Sequence, residues 1–546
     1  LQEYPPVIRQ VLYQRGIRTR VEAERYLAKP ADAIHDPLSL ANMSSAVDLV
    51  EKRIQGNDKI VVFGDYDADG VTATALLVEA LTGLGAAVST YIPDRFSEGY
   101  GLNLTALDRI RQSGATMVIT VDCGIRGVDE IAHANDLGLD VIITDHHHPG
   151  PDLPRANVIL NPRLPADDYP FQDLAGVGLA YKLAQALYEG RGDSPPEDLL
   201  ELVAIGTVAD LAPLRGENRV LVARGIGQLQ HTERPGLRAL ISESGLEPIQ
   251  INAMHIGFGL GPRLNAAGRM DSAELALKLL LAQDMAVARP LAQELDRLNR
   301  SRQQETRRVV ERARELVSEQ NRQGEIIFAA DESFHEGVVG LAAGRLMEEF
   351  YRPALVARLD GDRLRGSARS IPEFHITKAL EACSDLLLQF GGHQAAAGFT
   401  LLAEQAEKLV AGLNSQAALL FGEAEPFRRL HLDAVIELDQ LNEKLLAWFD
   451  QLEPVGQGNP APLLAVFGAK VDRMRQVGRD QSHLKISLTD GFRPYDGIAF
   501  RMGDRMRVLG RAVDVAFHYE WNEFRGVRQP QLQIVDIRPA QIDPVS

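Results

Sequence analysis

The chain has 546 residues, 45% of them hydrophobic, with 75 acidic against 58 basic side chains and a net charge of −17. That length predicts several domains, and no apolar run approaches the roughly 20 residues that cross a bilayer, so no membrane partner is expected. The net charge argues against nucleic acid only if charge is spread evenly, because carboxylates that ligate divalent cations count as bare negatives and a basic channel can sit on an acidic surface.

The numbering opens at Leu1 rather than Met, so a missing N-terminal piece is expected. No basic-then-apolar leader is legible, and a cytoplasmic location is expected. Cys123 and Cys383 fit no CxxC spacing, so neither a zinc site nor a disulfide framework is indicated.

The first two hundred residues alternate short apolar runs with helix-like stretches: KIVVFGDYDADG, AAVSTYIPDR, ATMVITVDCG, LDVIITDHHHPG and NVILNPR, with segments such as VTATALLVEALTGLG between most of them. This predicts a mostly parallel sheet covered by helices, with ligands beyond the carboxyl ends of its strands. Four runs carry an aspartate at that end: Asp65, Asp94, Asp122 and Asp145. One such residue is commonly a helix cap. Four on one rim would repel unless cations compensate them.

Asp65, Asp67, Asp69 and Gly70 superficially match an EF-hand loop, but position twelve is Leu76 and a strand precedes it. A metal site shared between strand ends suits the acids better. Asp145-His146-His147-His148 ends another strand; imidazole beside carboxylates suits manganese, whereas all-oxygen sites lean toward magnesium or calcium. Asp210 closes the apolar stretch LVAIGTVADL and is expected on the same rim.

Further on, LDRLNRSRQQETRRVVERARELV predicts a long connecting helix. Its arginines read equally as a salt-bridged solvated face or as DNA contacts. A second α/β unit follows, from EIIFAAD to GGHQAAAGFTL. The tail is strand-rich, with Arg473, Arg475, Lys485, Arg501, Tyr519 and Trp521 interleaved, as in a nucleic-acid-binding barrel of the OB type.

The ordered strings GDYDADG, IPDRFSEGYG, TVDCG, TDHHHP and GTVAD resemble the DHH phosphoesterase superfamily. GPRLNAAGRM, HEGVVG, GSARS and GGHQAAAGF resemble its companion DHHA1 domain and the approach to it. EPVGQGNPAP and the β-rich tail are similar to the RecJ branch. The resemblance implies an α/β fold: a mostly parallel-sheet DHH domain and a second α/β, DHHA1-like domain joined by a long helix, then an OB-like β-barrel. The expected divisions are an N-terminal helical lead-in (1–48), the catalytic domain (49–215), a helical region with the connecting helix (216–315), the substrate-binding domain (316–426) and the barrel (427–546).

The resemblance also implies two divalent ions, Mn2+ or Mg2+. Asp67 would serve one, and Asp69, His146 and Asp210 the other. Asp122 would bridge them, Asp65 would be a ligand or close support, and His147 would orient ligands or phosphate. Substrate contacts are implied for Arg95, Tyr100, Arg263, Asn265, Arg269, His335, Ser367, Arg369, Gly392 and His393. The implied activity is single-stranded DNA exonuclease, 5′ to 3′, releasing 5′-mononucleotides in repair and recombination. The implied partners are single-stranded DNA, a single-stranded-DNA-binding protein and a RecQ-type helicase, with the chain a monomer. A sister phosphodiesterase acting on oligoribonucleotides, cyclic dinucleotides or pyrophosphate, and a non-catalytic replication scaffold, are the alternatives; the long C-terminal extension and the intact ligand positions speak against them.

Overall fold

The computed structural model describes residues 1–95, 97–99, 101–319, 324–422, 425–524 and 527–540. Its first sheet is wholly parallel: β1 (Lys59–Gly64), β2 (Ala87–Tyr91), β3 (Met117–Val121), β4 (Asp140–Thr144) and β5 (Val158–Leu160), in the order β2-β1-β3-β4-β5. β3 is buried along its whole length, as the unbroken apolar run MVITV requires of a strand covered on both faces. Residues of one face pack with helices Met43–Gln55, Ala68–Gly83 and Gly176–Gly190, those of the other with Leu104–Gln112 and Val128–Asp136.

Strand order fixes the site. The chain passes from β1 outward to β2, then returns to place β3 on the other side of β1. The loops after β1 and β3 therefore diverge, opening the crevice where such sheets bind ligands. Asp65 and Asp67 follow β1, and Asp122 follows β3.

A helical region leads into the 35-residue helix Met285–Glu319, which extends further toward the N-terminus than the arginine-rich stretch and includes Pro290. The second sheet comprises β6 (Ile327–Asp331), β7 (Ala354–Asp360), β8 (Arg363–Arg369), β9 (Gln389–Gly392) and β10 (Ala396–Leu402), in the order β6-β7-β8-β10-β9. Only β6 and β7 pair in parallel; the other neighbours are antiparallel.

The last strands are β11 (Ala434–Val435), β12 (Leu464–Val477), β13 (His483–Thr489), β14 (Pro494–Ala499), β15 (Ala512–Phe524) and β16 (Val527–Pro539). β12 pairs with β13 near one end and β15 near the other, closing a five-stranded barrel with β11 appended. Irregularities at Val466/Ala469 and Val471/Arg473 let that strand bend between both partners.

The N-terminal lead-in is shared between two bodies. Tyr4, Val7, Ile8, Val11 and Leu12 join the barrel's core, whereas Leu40 and Met43 join that of the parallel sheet. EPVGQGNPAP is the clasp between barrel and sheet domain: Arg219 donates to the Leu452 and Pro454 carbonyls, and Leu214 N–H to that of Gln457.

Candidate metal centre and phosphate pocket

The chain turns sharply after β1. Gly70 is required there, because a Cβ would lie 2.6 Å from the Asp65 carbonyl oxygen. Asp67 caps helix Ala68–Gly83, accepting from Asp69 N–H (2.9 Å) and Gly70 N–H (3.1 Å). Asp69, the second residue of that helix, is buried; its oxygens accept from Gly176 N–H (2.7 Å) and Val177 N–H (2.9 Å) at the start of Gly176–Gly190. Asp122 takes a left-handed φ of 60°, uncommon outside glycine, and its N–H bonds the Thr144 carbonyl. The His146 side chain is largely buried. Its Nε2 lies 3.0 Å from Asp122 Oδ1 and 3.9 Å from both Asp69 Oδ2 and Asp210 Oδ2. Asp210 closes helix Leu199–Ala209.

The potential ligand atoms form overlapping groups: Asp65, Asp67 and Asp122; Asp69, His146 and Asp210; and Asp122 with His146 and His147, each within 4.8 Å. Asp122 belongs to the first and third. Burial and neighbouring carboxylates push Asp65, Asp122 and Asp210 well above the carboxylate range, and Asp69 to about 7. Burial, with the charge of His147, holds His146 down to about 3, so its ring is neutral, the form that ligates metals.

A cation fits this donor set. Asp65 Oδ1, Asp122 Oδ1 and His146 Nε2 are buried without hydrogen-bond partners. Although Asp122 Oδ1 and His146 Nε2 are close, they lack hydrogen-bond geometry, as two lone pairs converging on a shared electron acceptor would. Buried polar atoms are left unpaired at a cost, which a bound cation removes.

The rim acids divide by role. Asp94 caps a turn, accepting from Ser97 N–H and Oγ. Asp145 braces His147, its Oδ1 lying 2.8 Å from Nδ1. Burial opposes charge on His147, but Asp145 outweighs it and raises the ring's pKa.

Two cavities open at the Asp65–Asp67 turn, one lined by Tyr66 and the other by Asp65 and Asp67. One, of about 230 Å3, is lined by Arg95, Arg269, Arg365, Arg369 and Ser367. The glycines of helix Glu336–Phe350 let it form: a Cβ at Gly340 would stand 3.0 Å from the Arg369 guanidinium, and one at Gly337 only 2.0 Å from the Arg269 carbonyl oxygen. The other, of about 790 Å3, brings Gly392 and His393 opposite Asp65, Asp67, His146 and His147, with Arg126 and Arg163 at its wall. Three sequence candidates have other partners. Arg263 pairs with Asp296 at 2.9 Å, Asn265 accepts from Ala68 N–H and braces the Asp67 loop, and His335 caps helix Glu336–Phe350. Tyr100 lies outside the described residues.

Comparison with known proteins decides the lineage. The chain matches the DHH family, N-terminal domain, over residues 59–207, the DHHA1 domain over 323–418 and the RecJ OB domain over 432–536. It is 36% identical to the single-stranded-DNA-specific exonuclease RecJ of Salmonella typhimurium, over 98% of this chain and 96% of that protein. The chain belongs to the RecJ family. The Bacillus subtilis RecJ is 40% identical over 97% of this chain and 68% of its own. Among solved structures, RecJ from Thermus thermophilus in complex with Mn2+ superposes with a TM-score of 0.86 at 32% identity, over 99% of this chain and 76% of that one.

In this RecJ-family chain, sequence reasoning passed over the segment Leu174–Val177. It meets two ligand candidates: the N–H groups of Gly176 and Val177 hold Asp69, and a Cβ on Gly176 would lie 2.6 Å from that of Asp122. The available signal was LAGVG, glycines opening a helix whose free N–H groups suit an anion.

Proposed function

We propose that this chain is a metal-dependent exonuclease that degrades single-stranded DNA from its 5′ end and releases 5′-mononucleotides. The observation that carries the reading is the buried donor cluster with unpaired oxygens and nitrogen, set beside an arginine-lined cavity. Asp65, Asp67 and Asp122 would hold one divalent ion, and Asp69, His146, Asp210 and Asp122 the other, with manganese or magnesium as the ions. Two such ions lower the pKa of a water and offset charge on the scissile phosphate and leaving oxygen.

The chain's own residues supply the rest. The smaller cavity is too small for a nucleotide yet lined by guanidiniums, whose planar forks match phosphate oxygens. A 5′-phosphate seated against Arg95, Arg269, Arg369 and Ser367 would present the first internucleotide linkage to the acids across Tyr66. His147, braced by Asp145, and His393 on the opposite wall would hold that linkage's oxygens. Hydrolysis there frees one nucleotide and leaves a new terminal phosphate for the next cycle.

The division of labour we propose assigns cutting to residues 49–215, phosphate capture to 316–426 and strand affinity to 427–546, with 1–48 and 216–315 as frame. A role in repair and recombination, a cytoplasmic location, monomeric action, and cooperation with a single-stranded-DNA-binding protein and a RecQ-type helicase belong to the same proposal. No helix among the described residues is long and apolar enough to cross a membrane. The test is a panel with manganese: 5′- and 3′-labelled single strands, duplex DNA, short RNA and cyclic dinucleotides. Mononucleotides released first from the 5′ label of the single strand are expected; preferential hydrolysis of RNA or a cyclic dinucleotide would overturn the reading.

A further inference from the structure

Helix Gly261–Met270 is gripped on three sides. Arg263 pairs with Asp296 of the long helix at 2.9 Å, both side chains largely buried. Toward the metal centre, Asn265 Oδ1 accepts from Ala68 N–H at 2.9 Å, and Gly268 lies so close to the Asp65–Asp67 turn that a Cβ would stand 2.5 Å from the Tyr66 carbonyl oxygen. Toward the second α/β domain, a Cβ on Gly337 would come within 2.0 Å of the Arg269 carbonyl oxygen, and Arg269 Nη1 donates to the Gly337 carbonyl at 3.4 Å.

These contacts reach both halves of the site. The bond from Asn265 falls on the residue between Asp67 and Asp69, the first of the helix that Asp67 caps. Tyr66 lines the arginine cavity, where the Arg95 guanidinium stands 5.0 Å from its ring centroid, and its carbonyl meets Gly268. Arg269, next to Gly268, lines the same cavity, as do Gly337 and Gly340. Contacts this close leave no slack, and a packed interior passes a displacement on instead of absorbing it. A shift of Arg269 toward an anion therefore carries Gly268 and Asn265 with it, and they bear on the turn that presents Asp65 and Asp67. Ala68 is buried, so losing the Asn265 oxygen costs its N–H this partner where water does not replace it.

We propose that helix Gly261–Met270 couples the two halves of the site, with Asn265 as its positioning residue: an anion in the arginine cavity tightens the divalent ion at Asp65 and Asp67, and the ion tightens the anion. The proposal rests on the metal and phosphate reading above and adds that the ion is held most firmly once a terminal phosphate is seated. Asn265 thus acts on the metal through the backbone of the turn and does not touch the substrate. Groups that support ligands in this way set metal affinity by roughly 10- to 100-fold. Coupling between two sites is reciprocal and commonly reaches about fivefold or more. Attraction between anion and cation across Tyr66 would act without the helix, so the decisive observation is what remains when the Asn265 bond is removed.

The experiment is manganese calorimetry on the full chain without DNA, in chloride and in sulfate at matched ionic strength. Sulfate is a tetrahedral dianion like phosphate and leaves manganese in solution. In the unchanged chain, sulfate is expected to tighten manganese about fivefold. Asn265→Leu, similar in volume but without an acceptor, should weaken manganese roughly tenfold in chloride and abolish the gain from sulfate. Asn265→Asp keeps an oxygen for the Ala68 N–H and should keep the gain. Asn265→Ala removes the acceptor without adding bulk and gives the same reading should circular dichroism show that the leucine is not accommodated. No gain from sulfate in the unchanged chain, full manganese affinity without the acceptor, or a sulfate gain that survives its loss would each overturn the coupling. Failure of the unchanged chain to cut single-stranded DNA with manganese bound would instead overturn the exonuclease reading and leave the coupling in place.

Discussion

Asp122 carries the heaviest load at the residue scale. It belongs to two of the three groups of potential ligands, is buried, and is held at a backbone angle that side chains avoid. Asp122→Ala is expected to reduce hydrolysis by more than tenfold, since losing a shared ligand costs several kcal/mol of barrier, while single-strand binding persists. Gly176→Ala should do comparable damage without removing a ligand, because the new methyl would force Asp122 aside. Metal binding by calorimetry and cleavage of a labelled strand check both. His393→Ala and Arg369→Ala should lower turnover yet keep the metal stoichiometry; loss of bound manganese by elemental analysis would place them on the ions instead. Asp65, Asp122 and Asp145 were legible because each follows an apolar strand run, and Asp210 because it closes an apolar helix. Gly176 was not, since its importance arises from a contact with a residue 54 positions earlier.

Elements explain how such a repulsive cluster is held. Helix Gly176–Gly190 offers its first N–H groups to Asp69, and its position is fixed by Lys182, fully buried and 2.7 Å from equally buried Glu217. Lys182→Met leaves Glu217 uncompensated and should cost about 3–5 kcal/mol in urea unfolding. The carboxylates themselves make metal-free stability depend on pH. His146 opposes this only weakly: its folded ring, held to about 3, stays neutral, while the unfolded ring is half protonated near pH 6.5 and loses its remaining protons by about pH 8. Asp69, near 7, and Asp65, Asp122 and Asp210, each raised well above the ordinary value, hold protons in the folded state that the unfolded chain has released. Stability must therefore fall as pH rises through their folded values. In chelator, the thermal midpoint at pH 8 is expected below that at pH 6.5, and manganese should shrink the gap, because bound cations favour the ionised carboxylates. A chelated protein equally stable at both would show that the acids are not so raised. The alternation of strands and helices announced this sheet. The arginine-rich helix was ambiguous in sequence because ion pairing is settled by three-dimensional neighbours: most of its arginines are neutralised, and Arg302 is not.

The whole molecule joins the sheet domain, to which we assign cutting, to the barrel, to which we assign strand affinity. Every proposed ligand precedes Leu211, and the clasp to the barrel begins at Leu214, so the barrel sits close behind Asp210. Removing residues after Phe427 should raise the Michaelis constant on long strands and flatten the salt dependence of binding, with a smaller change in maximal rate. The N-terminal helices lose their packing partner in that truncation, so residues 1–29 must be removed as well. The sequence showed the barrel's strands but not which aromatics remain available to DNA: Tyr519 is buried in its core, Trp521 packs beneath Arg528, and Phe492 is almost wholly exposed. Unchanged affinity and salt slope would make the barrel a brace rather than a strand grip.

The central claim is that the buried cluster after β1, β3 and β4 is the centre that cuts DNA. The most direct measurement is a manganese titration of the metal-free chain, following bound metal and release of mononucleotides from a 5′-labelled single strand in the same samples. Activity should rise as the second ion binds and saturate at two ions per chain, and Asp122→Ala should lose both the second ion and the cleavage. Full cleavage by the metal-free chain, or by Asp122→Ala carrying fewer than two ions, would contradict it.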